Sequence, residues 1–155
     1  MAATFENLTD ADYAYLAGMI DGEGCIQVIR GTSRHHRTGA EHRLNVSLSG
    51  TAPTFPRWLQ ARWQGNVHRK PRKTASGRSV WMWSVGSIQA RDFLSSVLPF
   101  LTLKREEAQL ALEFQATCKW RRGGFPRLTD EDMALRDGYR FALQAMHHVQ
   151  HEEAA

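Results

Sequence analysis

Three glycines and two carboxylates lie at the end of an otherwise apolar helical pattern, in the segment YAYLAGMIDGEGCIQV at residues 13–28. Each glycine weakens a helix by roughly 1 kcal/mol relative to alanine. An ordinary core helix gains nothing in return for that loss. The segment therefore predicts that something approaches the helix backbone closely, and that Asp21 and Glu23 are held together at its end.

The helix that carries this segment begins at a capping signal. Thr9 is in position to act as the N-cap, and Asp12 follows three residues later, as in a capping box. Apolar or small residues then repeat at helical spacing, at Tyr13, Leu16, Ala17 and Ile20. The helix is predicted to end near residues 22–24.

The rest of the chain predicts two β-hairpins and further helices. CIQVIR and HRLNVSLSG pair as one hairpin, in which the second strand alternates apolar with polar or basic residues, and NVHRKPR and SVWMWSVG pair as another. Helices are predicted after each hairpin, and Pro99 ends or kinks the second of these helices. The fold class is thus α+β, with the order αββαββα and additional C-terminal helices.

The two hairpins are expected to form one antiparallel sheet whose apolar face needs helices to cover it. The uncovered face is predicted to be basic and concave, like a saddle, which suits nucleic acid because a β-ribbon fits the major groove of a duplex. A length of 155 residues favours a single domain over residues 1–155. Its core is predicted at about residues 8–120, with C-terminal helices at about residues 103–150.

The charges are distributed unevenly along the chain. Residues 24–91 contain twelve Lys or Arg residues but a single acid, Glu41, whereas the net charge of the whole chain is only +4. A basic block between acidic segments is typical of proteins that bind polyanions. A merely solvated basic face is the weaker interpretation, because such faces usually mix both signs.

Other features exclude several classes of protein. No run of 18 apolar residues predicts a transmembrane helix, and neither a membrane partner nor a signal peptide is expected. Cys25 and Cys118 lack the spacing of metal ligands and are expected to be buried free thiols. A reducing intracellular compartment fits them, either the cytoplasm of a prokaryote or phage host or an organelle matrix.

The nine residues LAGMIDGEG, at positions 16–24, closely resemble the signature of the LAGLIDADG homing endonucleases, with Met19, Gly22 and Glu23 as variants of it. The resemblance covers roughly residues 8–120. Only one copy of the motif is present, and family members with one copy act as homodimers. The resemblance therefore implies a homodimer that binds double-stranded DNA and has no small-molecule substrate.

A second segment, LPFLTLKREEAQL at residues 98–110, resembles the PFL-x-x-K sequence that precedes a helix in this family. By this resemblance, Lys104 is a catalytic residue that stabilises transition-state charge and positions water. Glu23 is likewise catalytic and is the metal ligand, and the carbonyl of Gly22 completes the coordination. The implied metal is Mg²⁺, which Mn²⁺ or Ca²⁺ could replace in the site.

The activity that the resemblance implies is hydrolysis of phosphodiester bonds, with a staggered double-strand break in a long, nearly palindromic target. Genes of this family lie within introns or inteins or stand alone, and they spread by inducing recombinational repair. The small residues of the motif are expected to let two helices approach each other across a two-fold axis. The predicted interface residues are Leu16, Ala17, Gly18, Ile20 and Asp21, of which Asp21 alternatively ties down the end of the helix.

One departure from the family affects the shell around the hydrolytic water. A polar residue, usually Gln, is expected just after the second strand, where this chain has Ala52, and a basic residue falls on Pro56. Thr51, Thr54 or Arg57 could substitute if the turn differs by one residue. The departure leaves open a second interpretation, a catalytically inactive DNA-binding protein of the same fold, such as a maturase or a transcription regulator. A structural dimer that binds RNA is a third.

The residues that contact DNA follow from the alternation of side chains along each strand. Ile26 and Val28 are expected to face the helices, so the neighbouring side chains face DNA. The residues predicted on the DNA-binding face are Gln27, Ile29, Arg43, Asn45, Ser47, Ser49, His68, Lys70 and Arg72. Residues near the hairpin ends are predicted to contact DNA as well, namely Arg34, His35, Arg37, Lys73 and Arg78.

Two further patterns allow a structural and a functional interpretation. Trp81 and Trp83 share one face of a strand, where a core position is favoured over a platform for base stacking. His147, His148 and His151 have a spacing that a metal site could use, but a solvated helix end is favoured.

Overall fold

The computed structural model describes residues 8–34, 38–71, 79–118 and 128–153. In chain order the elements are α1 (Asp10–Glu23), β1 (Cys25–Thr32), β2 (Ala40–Gly50), α2 (Thr54–Trp63), β3 (Asn66–Lys70), β4 (Val80–Gly86), α3 (Ser87–Val97), α4 (Arg105–Thr117) and α5 (Asp130–Glu153). A short 3₁₀ turn at Leu98–Phe100 contains the proline that ends α3. The predicted α+β class and the order αββαββα with C-terminal helices are confirmed.

The four strands form one antiparallel sheet in the order β1-β2-β4-β3. The two hairpins meet through their second strands, because β2 pairs with both β1 and β4. Val46 of β2 lies between Ile26 of β1 and Val85 of β4. This register aligns the apolar positions of the strands in rows across the sheet.

One face of the sheet forms the floor of the core. The buried side chains of this face are Ile26, Val28, Leu44, Val46, Leu48, Trp83 and Val85. They pack with buried residues of α1, α2, α3 and α4 in a single hydrophobic cluster. The helices therefore cover this face, and the side chains between these positions point to the opposite, open face.

Two helices begin with the capping box that the sequence predicts for α1. The N–H of Thr9 donates to Oδ2 of Asp12 at 2.8 Å, and the N–H of Asp12 donates back to the Thr9 hydroxyl at 3.3 Å. Thr129 and Asp132 repeat the arrangement at the start of α5. The hydrogen bond from the backbone of its threonine is the main cause that lowers the pKa of each aspartate.

The turn between α2 and β3 explains the position of Trp83. Gly65 has a φ of +88°, and a Cβ there would lie 2.4 Å from the carbonyl oxygen of Ser84. The preceding residue, Gln64, accepts a hydrogen bond of 2.8 Å from Nε1 of Trp83, whose side chain is fully buried. The core interpretation of Trp83 is confirmed. Trp81 is half-buried on the same face, with the guanidinium of Arg57 5.7 Å from its ring centroid.

Helix α5 is joined to the sheet by a charged contact. Nε2 of His42 donates to Oδ1 of Asp137 at 2.8 Å, and Nη1 of Arg30 donates to Oδ2 at 3.2 Å. The hydrogen bond from His42 is the largest cause of the lowered pKa of Asp137, with Arg30 and Arg140 adding to it. Within the described ranges, none of the helices combines the length and the apolar composition needed to cross a membrane.

Candidate functional site

The end of α1 passes into β1 with almost no connecting chain. Gly24 is the C-cap, and its N–H donates to the carbonyl of Ile20 at 3.0 Å. A Cβ on Gly24 would lie 2.7 Å from both Cα and the carbonyl oxygen of Ile20. The third glycine of the motif is therefore required by a close backbone approach within the chain. It places Glu23 directly before the first strand of the sheet.

Asp21 connects the last turn of α1 to the start of α4. Its carboxylate accepts hydrogen bonds from the backbone N–H groups of Thr102, Leu103 and Lys104, at 2.9, 3.2 and 2.8 Å. These donors lie at the N-terminus of a helix, where a negative charge is stabilised. Asp21 thus ties down the helix end, which is the alternative role that the sequence left open for it.

Lys104 completes the connection in the opposite direction. Its ammonium group donates to the carbonyl of Ile20 at 3.0 Å and to the carbonyl of Gly24 at 2.5 Å. A cation is favourable at these carbonyls because they carry the negative end of the dipole of α1. We call the contacts between Asp21, Lys104 and the two helix ends the α1–α4 clamp. The predicted contact of Lys104 with a reacting phosphate stays a prediction.

Gly22 and Glu23 extend beyond the α1–α4 clamp. Both are exposed, and no described residue forms an ion pair or a side-chain hydrogen bond with Glu23. The parts of the chain that the structure describes contain no group of three or more His, Cys, Asp or Glu residues that could hold a metal ion. One carboxylate and one neighbouring carbonyl are thus what the described residues of a single chain offer at this tip.

The structure corrects the predicted dimer interface. The side chains of Leu16, Ala17 and Ile20 are 0 % exposed in a single chain, because this face of α1 packs into the core of its own subunit. They are not available to a partner, and the carboxylate of Asp21 is occupied by α4. Gly18 lies on the opposite face, where an added Cβ would meet nothing within 4 Å, as it would at Gly22.

The open face of α1 carries small residues. Ala11, Ala14, Gly18 and Gly22 recur at helical spacing, and all four are exposed. The aromatic ring of Tyr15 borders this stripe and meets the ring of Phe55 from α2 edge to face, with the centroids 6.0 Å apart. A second helix could approach the backbone of α1 closely along this stripe.

Most of the predicted DNA-contacting residues in the described ranges lie on the open face of the sheet. Alternation along the strands brings together the side chains of Gln27, Ile29, Arg43, Asn45, Ser49, His68 and Lys70. Ser47 shares this face but is 8 % exposed, because it lies between Cys25 and Ser84 on a central strand. It therefore offers almost no surface to a ligand, which corrects its predicted role.

Arg34 is exposed at the edge of the described part of the first hairpin. The remaining predicted contacts fall outside the described residues, namely His35, Arg37, Arg72, Lys73 and Arg78. On β4, alternation opposite the buried Trp83 assigns Met82 and Ser84 to the open face. The sequence left this strand ambiguous, because tryptophans alternate there with residues of either character.

The structure also places the residues at which this chain departs from the family pattern. Ala52 is exposed in the turn after β2, and the hydroxyl-bearing Thr51 and Thr54 are exposed beside it. Pro56 is buried in the first turn of α2, so a basic side chain has no place there. The guanidinium of Arg57 lies 5.7 Å from the ring centroid of Trp81, on the side of the sheet that the helices cover.

One titratable pair near the α1–α4 clamp, Glu107 with His147, was not recognised from the sequence. Glu107 is 2 % exposed, and its Oε2 lies 3.0 Å from Nε2 of His147 on α5. The solvated helix end predicted for His147 is therefore wrong, because this histidine is the partner of a buried carboxylate. Burial is the main cause that raises the pKa of Cys25, which is a free thiol like Cys118.

Comparisons with known proteins show that this chain shares its fold with several solved structures. No protein-family model and no curated protein matches the chain. Among solved structures, the homing endonuclease I-CvuI in complex with the I-CreI target is similar, with a TM-score of 0.69 and 20% identity over 88% of this chain and 82% of that chain. The archaeal intron-encoded homing endonuclease I-Vdi141I, complexed with DNA, is similar with a TM-score of 0.69 and 14% identity. This likeness covers 88% of this chain and 84% of that chain.

A third similar structure is larger than this chain. The LAGLIDADG meganuclease I-AabMI, bound to uncleaved DNA, gives a TM-score of 0.67 and 22% identity. The likeness covers 86% of this chain and 46% of that chain. This chain therefore corresponds to about half of I-AabMI.

Proposed function

We propose that this chain, which has the fold of the LAGLIDADG homing endonucleases, is a site-specific double-strand DNA endonuclease that acts as a homodimer. The observation that carries the proposal is the position of Glu23. It is an exposed carboxylate that has no partner among the described residues, at the tip of a clamped helix and directly before the first strand of a sheet with an open, polar and basic face. I-CvuI and I-Vdi141I, which share the fold, are both described in complex with DNA.

Dimerisation is supported by the size of the chain and by the open face of α1. The chain has the extent of about half of I-AabMI, so two copies would supply two equivalent halves. The side chains of the exposed stripe are small enough for two α1 helices to pack backbone to backbone; they belong to Ala11, Ala14, Gly18 and Gly22. A two-fold interface of this kind uses the same patch on both subunits. It would bring two copies of Glu23 close to each other, one for each DNA strand.

The donor atoms at the tip of α1 fit Mg²⁺. This ion is bound through one or two carboxylates together with substrate phosphates and water, rather than by a cage of protein ligands. Glu23 and the carbonyl of Gly22 are donors of this kind, and the phosphates would come from DNA. Structures of I-CvuI with DNA were obtained in the presence of 2 mM Mg or 2 mM Ca. When bound, the metal would stabilise the charge that develops on the scissile phosphate.

The residues of this chain have separate tasks in the proposed reaction. Asp21 and Lys104 hold the end of α1 against α4, so Glu23 extends from a fixed backbone. Side chains such as Asn45 and Lys70 on the open face bind and orient the duplex. Hydrolysis of one phosphodiester bond by each subunit would then leave a staggered double-strand break.

The test is cleavage of a plasmid library that carries randomised long targets, with and without Mg²⁺. Glu23→Gln is expected to abolish cleavage of the selected site, because the amide oxygen lacks the negative charge of the carboxylate, and to retain DNA binding. Glu113→Gln, which neutralises an exposed acid on α4, is the matched control and should cut normally. Continued nicking by Glu23→Gln would show that the assignment of Glu23 is wrong.

A second candidate function is a DNA-binding protein of this fold that does not cleave, such as a maturase or a transcription regulator. The aliphatic Ala52 and the buried Pro56 favour it, because they leave the expected water-contacting positions without polar groups. The same library separates the two functions. DNA that is retarded on a gel but stays uncut at every Mg²⁺ concentration would favour the non-cleaving protein.

A further inference from the structure

A polar pocket opens at the corner where β3 begins and β4 ends. The cavity has a volume of about 290 Å³. The side chains that give it its polar character are Arg43, Asn66, Ser84 and Gln89, and none of the described residues that line it is acidic. We call this cavity the corner pocket. It combines one permanent positive charge with neutral hydrogen-bonding groups.

Arg43 lies over the end of β4 and reaches toward this pocket. Gly86 is the last residue of β4 and pairs with Asn45, so β2 continues past the end of its neighbour. A Cβ on Gly86 would lie 3.2 Å from Cδ and 3.4 Å from Nε of Arg43. Gly86 has an ordinary extended φ of −129°, so the missing side chain is needed for space and not for backbone conformation. The side chain of Arg43 therefore lies along the sheet instead of standing up from it.

The guanidinium of Arg43 has no partner in the described part of the chain. No described residue forms a hydrogen bond or an ion pair with it. A guanidinium presents a planar fork of N–H donors that matches the oxygens of a phosphate. Asn66, Ser84 and Gln89 add neutral donors around the same cavity.

The register of the sheet relates the corner pocket to the tip of α1. Cys25, which follows the α1 tip by two residues, pairs with Ser47, Ser47 pairs with Ser84, and Ser84 pairs with Asn66. Three strand spacings separate the two ends of this row, or about 14 Å. The major groove of B-DNA is about 12 Å wide. A phosphate in the corner pocket and a phosphate at Glu23 could thus lie on the two sides of one groove.

We propose that the corner pocket binds a phosphodiester group of the DNA backbone, with Arg43 as its charged ligand. The inference rests on the proposed function, because it assumes that the open face binds DNA. A phosphate contact and a base contact have different effects on DNA binding. A phosphate contact strengthens binding to every sequence and adds to the salt dependence, whereas a base contact changes the preference at one position.

The test measures the binding of random-sequence 30-bp duplexes between 50 and 200 mM salt. Each phosphate contact contributes about 0.9 to the slope of log affinity against log salt concentration. Arg43→Gln should therefore lower the slope by about 1 for each bound subunit, and it should leave the base preferences in a binding selection unchanged. Arg43→Lys should keep most of the slope, because the charge remains. Arg91→Gln removes an exposed arginine on α3, which packs on the covered side, and should change nothing.

Gly86→Ala provides an independent measurement. The added methyl group would crowd the side chain of Arg43 and the carbonyl of Leu44. The guanidinium would have to shift, so the variant should lose part of the slope that Arg43→Gln loses. In the Arg43→Gln background the same change should have no further effect on binding. Thermal unfolding of each variant shows whether the fold is retained. If Gly86→Ala unfolds, the comparison of Arg43→Gln with Arg43→Lys decides alone.

Several outcomes would overturn the inference. One is an unchanged slope in Arg43→Gln with a preference lost at one base pair, which would make Arg43 a base-reading residue. Another is an unchanged slope and preference. A third is saturable binding of inorganic phosphate to the wild type but not to Arg43→Gln, at matched ionic strength, that leaves DNA binding unchanged, which would indicate a site for free phosphate only. Absence of DNA binding by the wild-type chain would instead refute the proposed function.

Discussion

Two junctions of this molecule are each held by one aspartate, but the partners of the two carboxylates differ. In the α1–α4 clamp, Asp21 accepts three backbone N–H groups and Lys104 donates to carbonyls in return. At the junction of α5 with the sheet, Asp137 accepts from the side chains of His42 and Arg30. The first junction is made largely by backbone groups and the second entirely by side chains.

This difference separates a rigid junction from an adjustable one. Backbone N–H groups do not titrate and have little freedom to move, so each charged side chain of the clamp meets partners of fixed position. The α5 junction depends on an arginine that is 45% exposed and an aspartate that is 22% exposed, and exposed ion pairs contribute little. Nδ1 of His42 also lacks a partner in the described residues. The proposed catalytic tip extends from the junction that is made with backbone groups.

The largest expected effect on stability is that of Asp21→Ala. Removal of an ionised acceptor from three N–H groups should lower the free energy of unfolding by about 3 kcal/mol. Glu23→Ala, two residues away, should change it by no more than about 0.5 kcal/mol, because that side chain is exposed and has no partner in the described ranges. Urea unfolding of the two variants measures the difference. Equal losses would show that the clamp does not hold the helix end.

A smaller effect is expected for Lys104→Met, which keeps the apolar stem of the lysine but removes its ammonium group. Two charge-assisted hydrogen bonds to the end of α1 are lost, at a cost of about 1.5 kcal/mol. Lys70→Met, on the open face of β3, serves as the control and should leave the unfolding midpoint in place. A midpoint shift of the same size in both variants would contradict the clamping role of Lys104.

The smallest effect is expected for Asp137→Asn, at about 1 kcal/mol near pH 7. Because the pKa of Asp137 is lowered in the folded chain, its stabilising contribution is present above the ordinary carboxyl pKa of 3.8. It is lost as the pH falls through the lowered value. The difference in the free energy of unfolding between wild type and variant should therefore become smaller as the pH is lowered from 5. A constant difference in urea unfolding across this range would contradict the junction.

Local signals explain how much of the fold the sequence predicts. The capping box at Thr9 and Asp12 needs only neighbouring residues, and it has the predicted hydrogen bonds. The alternation along β1 likewise identified Ile26 and Val28 as buried and Gln27 as a residue of the open face. In each case the decisive contacts follow from the period of one helix or strand.

The predictions that were wrong concern residues whose environment is set by another part of the chain. Both faces of α1 carry small or apolar residues, so the sequence could not tell that Leu16 and Ala17 face the core while Gly18 is open. The pairing of Glu107 with His147 joins residues 40 positions apart and has no local signature. A buried carboxylate requires a partner, but only the packing of α5 on α4 identifies it.

The most direct test of the account uses dimers that contain one wild-type subunit and one Glu23→Gln subunit, isolated by two different affinity tags. If each subunit cuts one strand through its own Glu23, the mixed dimer should convert a supercoiled plasmid bearing the selected site to nicked circles and stop there. The wild-type dimer should linearise the same plasmid under the same conditions. Linear product from the mixed dimer at the wild-type rate would contradict the account.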